Sequence, residues 1–462
     1  MAAASIRLGP LGQFALLSGP LLSMIDSSIV NVATPAIMTA LHAPVSEAQW
    51  VASAYLLALG AGLSLTPWSS GRFGGARIYR VCILLFVLAS AVCSGAWSLP
   101  VLIAARVLQG FVAGPMVPLA MGALMGEDAG GRRAGIAAGF ALFAAPAFGP
   151  ALGGLLLQAG GWPLVFLVNV PIGAAAWFAC RRVPASVFAA SPRRPVDVAG
   201  FAFLAIGMTG IVIAGQQAPQ AGWSSAAAVL PLAAGLAGLL AYPVHAARSR
   251  HPLVDLRALK TPVAVTAVAI SGLATIIAFA TVFLVPAFLQ QVEHIDPLVT
   301  GLVLVPAGLL TALGAVAGDA LAARSLRLTV AGGLVALAGS SLLLGAMDAS
   351  TPLWQPMLIL AARGAAIGLV TGPLVTALTR LARPELRDDT NTGFTIGLRV
   401  ASSLGIAVLA TVYGTASTPT AGLHEVGIVM TVAAVVGLPA VLLLPRRRED
   451  LRVAVPHEPI RG

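Results

Sequence analysis

The sequence predicts an all-α polytopic membrane protein, on the grounds of its composition, its apolar runs and the placement of its basic residues. Of its 462 residues, 58% are hydrophobic and 10% are charged, whereas a soluble domain carries about 25% charged residues. Apolar runs of about 20 residues recur along the chain, and a helix of that length crosses a hydrocarbon core about 30 Å thick. The three cysteines lie in or at the ends of these runs, so we expect no disulfide, metal or cofactor framework.

Fourteen apolar runs divide the chain, and each predicts a membrane span. They lie near residues 12–40, 48–70, 78–97, 99–125, 134–158, 163–180, 198–217, 226–246, 262–290, 298–321, 328–346, 353–378, 393–415 and 424–444. The first run contains Asp26 and ends without a small-residue cleavage site. We therefore interpret it as a retained span rather than a signal peptide.

The basic residues predict the orientation of these spans. Of the 27 Lys and Arg residues, Arg106, Arg363 and Arg399 lie inside runs. All the others fall in alternate connections, beginning with Arg7, and the intervening connections contain no basic residue. Because positive loops stay cytoplasmic, we expect a multi-pass protein of the inner or plasma membrane with both termini in the cytoplasm. The basic loops then face anionic headgroups, which makes membrane lipid a partner and argues against nucleic acid.

An internal repeat predicts how the spans are grouped. Residues 102–118 read "LIAARVLQGFVAGPMVP" and residues 359–374 read "ILAARGAAIGLVTGPL". The offset between Arg106 and Arg363 accommodates six spans and two extra ones, and two parallel six-span halves are typical of one large class of transporters. We predict an N-terminal six-helix bundle at 1–182, a linker with two extra transmembrane helices at 183–258, a C-terminal six-helix bundle at 259–446 and a cytoplasmic tail at 447–462.

Four stretches carry a family resemblance: "IDSSIVNVATPAI" at 25–37, "RVLQGFVAGP" at 106–115, "GFALFAAPAFGPALGG" at 139–154 and "WPLVFLVNVPIG" at 162–173. Together they resemble the fourteen-span drug:proton antiporter branch of the major facilitator superfamily over nearly the whole chain. The resemblance implies the major facilitator fold, with two six-helix bundles and two linking transmembrane helices. It also implies proton-coupled multidrug efflux by alternating access, without a cofactor.

The loop after the second run departs from the family pattern. The stretch "PWSSGRFGGAR" at 67–77 is similar to the family motif at Arg72 and Gly74, but Gly71 stands where the motif has an acid. In the family this acid helps to close the cytoplasmic side, so the resemblance implies a gating role for the loop, and the missing acid predicts a weaker closure. Asp319, at the inner end of the tenth run, is an alternative acid for the same role.

Asp26 is the most informative residue, because an ionised carboxylate at the centre of a membrane helix costs about 2.5–3.5 kcal/mol on insertion scales. Ser23, Ser27 and Asn31 lie near it on one helical stripe, as expected for a substrate-binding cavity. We interpret Asp26 as the proton-coupling acid. The alternative is a structural acid that bonds to serine or backbone groups.

Arginines and glutamines inside the apolar runs are further candidates for functional residues. Arg106 and Gln109 share a face, and Arg106 either sets the proton affinity of Asp26 or extends to the outer interface. If the two ions pair, we expect the pair to form in one transport state and break in the other. Arg363, Arg399 and Gln290 are candidates for substrate binding. The alternative for Arg399 and Gln290 is a position at the membrane interface without contact to substrate.

Small residues in the fifth run predict either gating or close helix packing. Proline bends a helix, and glycines four residues apart let helices approach closely. The candidates are Gly149, Pro150, Gly153 and Gly154.

These features predict a secondary active exporter of lipophilic small molecules in exchange for protons. Three intramembrane arginines against one aspartate favour neutral or anionic substrates. A dedicated exporter of one endogenous metabolite or lipid, a sensor that binds without transport, and a polytopic membrane enzyme are the alternatives, and a periplasmic adaptor stays open as a partner. An enzyme is the weakest of these, because the longest loop, 181–197, contains a single acid, Asp197.

Overall fold

The computed structural model describes residues 8–43, 45–48, 50–124, 145–188, 195–259, 261–292, 295–348, 350–381 and 387–446. Within these ranges the protein is helical, as lipid requires of a chain that must satisfy its backbone hydrogen bonds internally. The α-helices are α1 Pro10–Ala40, α2 Val45–Ala48, α3 Trp50–Ser64, α4 Thr66–Phe73, α5 Gly75–Ser94, α6 Leu99–Leu124, α7 Ala145–Gly160, α8 Trp162–Leu167, α9 Asn169–Cys180, α10 Val198–Ala221, α11 Ala226–Arg248, α12 Pro262–Gln291, α13 Pro297–Ala322, α14 Leu326–Gly345, α15 Trp354–Leu381, α16 Arg387–Thr415 and α17 Pro419–Val436.

Among the described residues, eleven helices are long and apolar enough to cross a membrane, or twelve if α3 and α4 form one span. The predicted count of fourteen is therefore not confirmed, although each predicted run contains a helix. The two runs that fall short are those of α7, which has 16 described residues, and α16. The latter begins with the polar stretch "RDDTNT" and also carries Arg399, which lowers its apolar character.

The second predicted run is bent rather than straight. Helices α3 and α4 meet at Leu65 with an angle of 52° between them. Pro67 lies in the first turn of α4, where its missing N–H and its ring prevent α3 from continuing. The chain then turns at Gly74, whose φ of 86° is in the left-handed region that glycine tolerates.

Glycines bring α3 and α6 into close contact. A Cβ atom on Gly110 would lie 2.1 Å from the backbone oxygen of Tyr55, and one on Gly62 would lie 1.8 Å from that of Phe111. Only glycine permits this approach, which places Arg106 of α6 beside Tyr55 of α3.

The same type of pairing recurs in the second half of the chain, between α13 and α15. A Cβ atom on Gly364 would lie 2.0 Å from the backbone oxygen of Ala307, and one on Gly368 would lie 2.1 Å from that of Thr311. The two helices that carry Arg106 and the repeat-related Arg363 thus both pack through glycines on a neighbouring helix.

Helices from the two halves meet along α7 and α13 and along α16, which contacts α3, α4 and α6. Gly301 of α13 lies against the backbone of Ala151 in α7. Helices α10 and α11, which the sequence analysis predicts to link the bundles, pack on each other, and α10 also contacts α3 and α16. A cluster of buried side chains joins these elements, with Leu63, Met208 and Ile396 among its members.

Candidate functional site

Asp26 lies fully buried in α1 at the centre of a hydrogen-bond network. Its Oδ2 accepts from Nη1 of Arg106 at 2.5 Å. Its Oδ1 accepts from Nδ2 of Asn169 at 2.9 Å and from Nε2 of Gln109 at 3.1 Å. Three helices, α1, α6 and α9, thus supply one closed cluster around the carboxylate.

Arg106 is held from several directions and is 1% exposed. Its Nε donates to the backbone oxygen of Val51 at 3.0 Å, and its guanidinium carbon lies 4.1 Å from the centroid of the Tyr55 ring. An arginine over an aromatic face gains a cation–π attraction that is stronger in the absence of water. Arg106 therefore does not extend to the outer interface in this structure.

Gln109 connects Arg106 and Asp26. Its Oε1 accepts from Nη1 of Arg106 at 2.6 Å, and its Nε2 donates to Oγ of Ser90 at 2.7 Å. Gln109 thus fixes the two charged groups relative to each other and ties them to α5.

Asp26 and Arg106 form a buried carboxylate–guanidinium pair. Removing one partner of such a buried pair leaves an uncompensated charge and costs about 3–5 kcal/mol. A proton on Asp26 would likewise end the ion pair and leave Arg106 without its counter-charge. Protonation of Asp26 would therefore change the side-chain pairing of this site.

The polar stripe on α1 contributes one residue to this neighbourhood. Oγ of Ser23 lies 3.0 Å from Oη of Tyr55, the ring that Arg106 covers. Ser27 donates to the backbone oxygen of Met24 at 2.9 Å, within its own helix. Asn31 belongs to α1, but its side chain lies outside the described residues.

Arg363 has none of the residues of the Asp26 cluster among its hydrogen-bond partners, whereas Arg399 lies near Tyr55 at the edge of that cluster. Arg363 is 1% exposed in α15, and it donates to Oγ of Ser341 at 3.1 Å and to Sδ of Met430 at 2.9 Å. Arg399 belongs to α16, and its Nη2 lies 3.8 Å from Sδ of Met24 in α1. Arg399 therefore extends from the second half of the chain towards the helix that carries Asp26.

The glycines of the fifth run pack α7 onto α1. A Cβ atom on Gly149 would lie 1.8 Å from Oγ of Ser28, and one on Gly153 would lie 3.0 Å from a side-chain carbon of Ile29, whereas Gly154 has no neighbour within 4 Å. The side chains of Pro150 and of Gln290, in α12, lie outside the described residues.

The predicted gating residues Arg72, Gly74 and Asp319 all lie in the described part of the chain. Arg72 is exposed at the end of α4 and has no hydrogen-bond or ion-pair partner among the described residues, and Gly74 forms the turn that follows. Oδ2 of Asp319 accepts from Oγ1 of Thr376 at 3.1 Å. The gating roles of Arg72, Gly74 and Asp319 stay predictions.

The sequence analysis did not single out Asn169, Tyr55 or Ser90. Asn169 stands in the stretch "VFLVNVPIG", and an amide inside a membrane span is a signal that could have identified it. Tyr55 and Ser90 carry no such signal, because both belong to apolar runs in which one polar group is ordinary. Within the described part of the chain, no three His, Cys, Asp or Glu side chains are grouped as metal ligands.

A family model described as "Major Facilitator Superfamily" matches residues 16–409. The "Multidrug export protein EmrB" of Haemophilus influenzae is 31% identical over 299 residues, which are 64% of this chain and 58% of that protein. The "Tetracenomycin C resistance and export protein" of Streptomyces glaucescens is 32% identical over 298 residues, 63% of this chain and 55% of that protein. The chain thus spans little more than half the length of these curated relatives.

Among solved structures, the human organic anion transporter MFSD10 is similar, with a TM-score of 0.63. The match covers 94% of this chain and 100% of that one at 16% sequence identity. At this identity the likeness establishes the fold and nothing further.

Proposed function

The chain belongs to the Major Facilitator Superfamily, and we propose that it is a secondary active exporter that exchanges lipophilic small molecules for protons by alternating access. Membership in this transporter family, rather than in a family of enzymes, answers the enzyme alternative. The observation that carries the proposal is the buried Asp26–Arg106 pair, because it is a titratable charge placed inside the spans. Intramembrane acids of this kind mark ion pathways and proton relays.

Protonation of Asp26 drives the change of state in this proposal. In the state described, Asp26 is paired with Arg106. A proton from the outer side neutralises the carboxylate and releases the guanidinium, so the relative free energies of the inward- and outward-facing forms change. Loss of the proton to the cytoplasm restores the pair and resets the carrier.

Helix packing offers a route from this charge change to the contact between the two halves. Asp26 lies on α1, which packs on α7 at Gly149 and Gly153. Helix α7 in turn contacts α13 of the other half at Gly301. A small shift of α1 would therefore reach the surface at which the halves move against each other.

The finer architecture belongs to the same proposal. We propose fourteen spans with both termini in the cytoplasm, two six-helix bundles and two linking helices, as the charge alternation and the repeat indicate. Helices α7 and α16 are then the two remaining spans of the fourteen. The packing of α16 against several spans of both halves supports its place among them.

The proposed substrates are lipophilic, drug-like compounds. Support comes from relatives whose names describe multidrug and antibiotic export. It also comes from the side chains buried between the helices, most of which are apolar. We propose that the substrate passes between the halves near Met24, where Arg399 approaches α1.

The test of this function uses inside-out proteoliposomes with an acidic lumen and two aromatic probes, 2-naphthoate and 2-naphthamide. The vesicles should accumulate at least one probe while the lumen loses protons, and collapse of the gradient by an ionophore should stop both. A matched preparation without protein is the control. Equilibration that is insensitive to the gradient, or binding with no uptake, would overturn the proposal.

A further inference from the structure

A second buried arginine, Arg363, has surroundings that differ from those of Arg106. It lies about 14 Å into its span from Trp354, by the rise of an α-helix, near the middle of a core about 30 Å thick. Its side chain is 1% exposed, and no carboxylate of the described residues lies within ion-pair distance of it. A buried cation without a counter-charge is unfavourable unless a ligand supplies one.

The hydrogen-bond partners of Arg363 are neutral. Nη1 donates to Ser341 and Nη2 to the sulfur of Met430, which is a weak acceptor. Nε is buried and has no acceptor among the described residues. A guanidinium has five N–H donors, so Arg363 retains donors for a further acceptor.

Arg363 lines a small cavity between three helices. The cavity has a volume of about 50 Å³, and its lining includes Thr281 of α12, Thr311 of α13 and the apolar residues Ala278 and Leu304. Both threonine hydroxyls donate to backbone oxygens of their own helices, whereas Arg363 is a lining residue with an N–H that has no acceptor among the described residues. The volume suits a carboxylate-sized group and is far below the 300–1,000 Å³ typical of a drug-sized ligand.

We propose that this cavity binds the anionic group of the exported molecule, so that the substrates of the carrier are lipophilic organic acids. The proposal rests on the export function proposed above and names its substrate class. The guanidinium pairs with a carboxylate or phenolate through its free N–H donors, and the apolar body of the substrate lies against the surrounding helices. An inorganic anion such as chloride offers the same charge, and the experiment separates the two sources.

The experiment measures equilibrium binding to the purified full-length protein in nanodiscs, without a pH gradient. The probes are 2-naphthoate, neutral 2-naphthamide and the cation 2-naphthylmethylammonium, in chloride-free buffer and again with added chloride. The wild type should bind naphthoate more tightly than either of the other two. Arg363→Gln should weaken naphthoate binding about 10- to 100-fold, the range for a hydrogen bond to a charged group, and should leave naphthamide binding unchanged.

Two further variants keep the test decisive. Ala278→Leu fills the cavity without changing any charge and should weaken naphthoate binding even if Arg363→Gln does not fold. Arg324→Gln removes the same charge from an exposed position after α13 and should bind naphthoate like the wild type. Naphthoate binding that survives in both cavity variants would overturn the proposal.

The remaining outcomes separate this site from the transport function. Chloride binding without any preference for naphthoate over naphthamide would overturn the assignment to organic acids. Gradient-driven uptake of naphthamide together with Arg363-independent binding would overturn the site alone. Arg363-dependent naphthoate binding without gradient-driven uptake would overturn the proposed function and leave the site.

Discussion

At the scale of single residues, Asp26 and Arg106 form a unit whose parts depend on one another. Each is buried, and each is the counter-charge of the other. Gln109 and Asn169 hold the carboxylate at its second oxygen. The contact that the sequence leads us to expect in one transport state is present here, and its loss in the other state stays a prediction.

A double-mutant cycle tests this dependence. Arg106→Gln should destabilise the protein by about 3–5 kcal/mol, because it leaves the carboxylate buried without its cation. Adding Asp26→Asn should recover most of that loss, since both charges are then gone. The measurement is thermal or denaturant unfolding in detergent, and losses that simply add in the double variant would contradict the pairing.

The contribution of Asn169 can be tested in the same assay. Asn169→Ala removes one donor from a buried carboxylate oxygen, which should cost about 1–3 kcal/mol of stability and reduce transport. Ser94→Ala is the matched control, because the Ser94 hydroxyl is exposed and bonds only within its own helix. Equal stability of the two variants would show that the amide contributes nothing to the cluster.

The sequence alone predicts part of this cluster. Asp26 and Arg106 are recognisable because charges inside apolar runs are rare and costly. Gln109 follows Arg106 by three residues, so helical periodicity places the two on one face. Asn169 and Ser90 come from other helices, and Asn169 follows Asp26 by 143 positions in the sequence. No local spacing connects such positions, so only the helix packing brings them together.

At the scale of helices, the approach of α7 to α1 is the feature most open to test. Gly149 faces Ser28, two residues beyond Asp26, whereas Gly154 faces open space. Close packing of α7 on α1 is sufficient to explain why glycine occurs at Gly149 and Gly153. The predicted motion about Pro150 remains to be tested.

Adding one methyl group at each glycine separates the two positions. Gly149→Ala should force α7 away from α1, cost about 1–3 kcal/mol through overpacking and slow transport. Gly154→Ala makes the same chemical change without a neighbour and should match the wild type. The assays are melting temperature and initial transport rate at equal protein levels, and indistinguishable variants would contradict the tight contact.

The positions of the helices follow from the sequence, but their bends do so only in part. Pro67 carries the signal for the break between α3 and α4, yet the apolar run continues across it and predicts a single span. Apolar pattern reports burial in lipid, and it does not report the direction in which a helix runs.

At the scale of the whole molecule, the all-helical architecture and the transporter family agree with the sequence, while the span count and orientation remain proposals. The charge alternation requires the connection before α10 to be cytoplasmic and the connection after α10 to be outside. Ser186 and Ser224, on these two connections, are both exposed.

Cysteine labelling tests this topology. The native cysteines are buried and would be replaced first. Ser224→Cys should then react with a membrane-impermeant maleimide added to intact cells, and Ser186→Cys should react only after the membrane is opened. Reversed accessibility would contradict the arrangement of six, two and six spans.

The central claim is that Asp26 carries the coupling proton. The most direct test compares gradient-driven accumulation with counterflow in the Asp26→Asn variant. Wild type and Asp26→Asn are reconstituted at equal amounts, and each is assayed for probe accumulation driven by a pH gradient and for counterflow without one. Asparagine keeps the shape of the side chain but cannot lose a proton. The account predicts that Asp26→Asn retains counterflow and loses gradient-driven accumulation, and accumulation with the wild-type gradient dependence would contradict it.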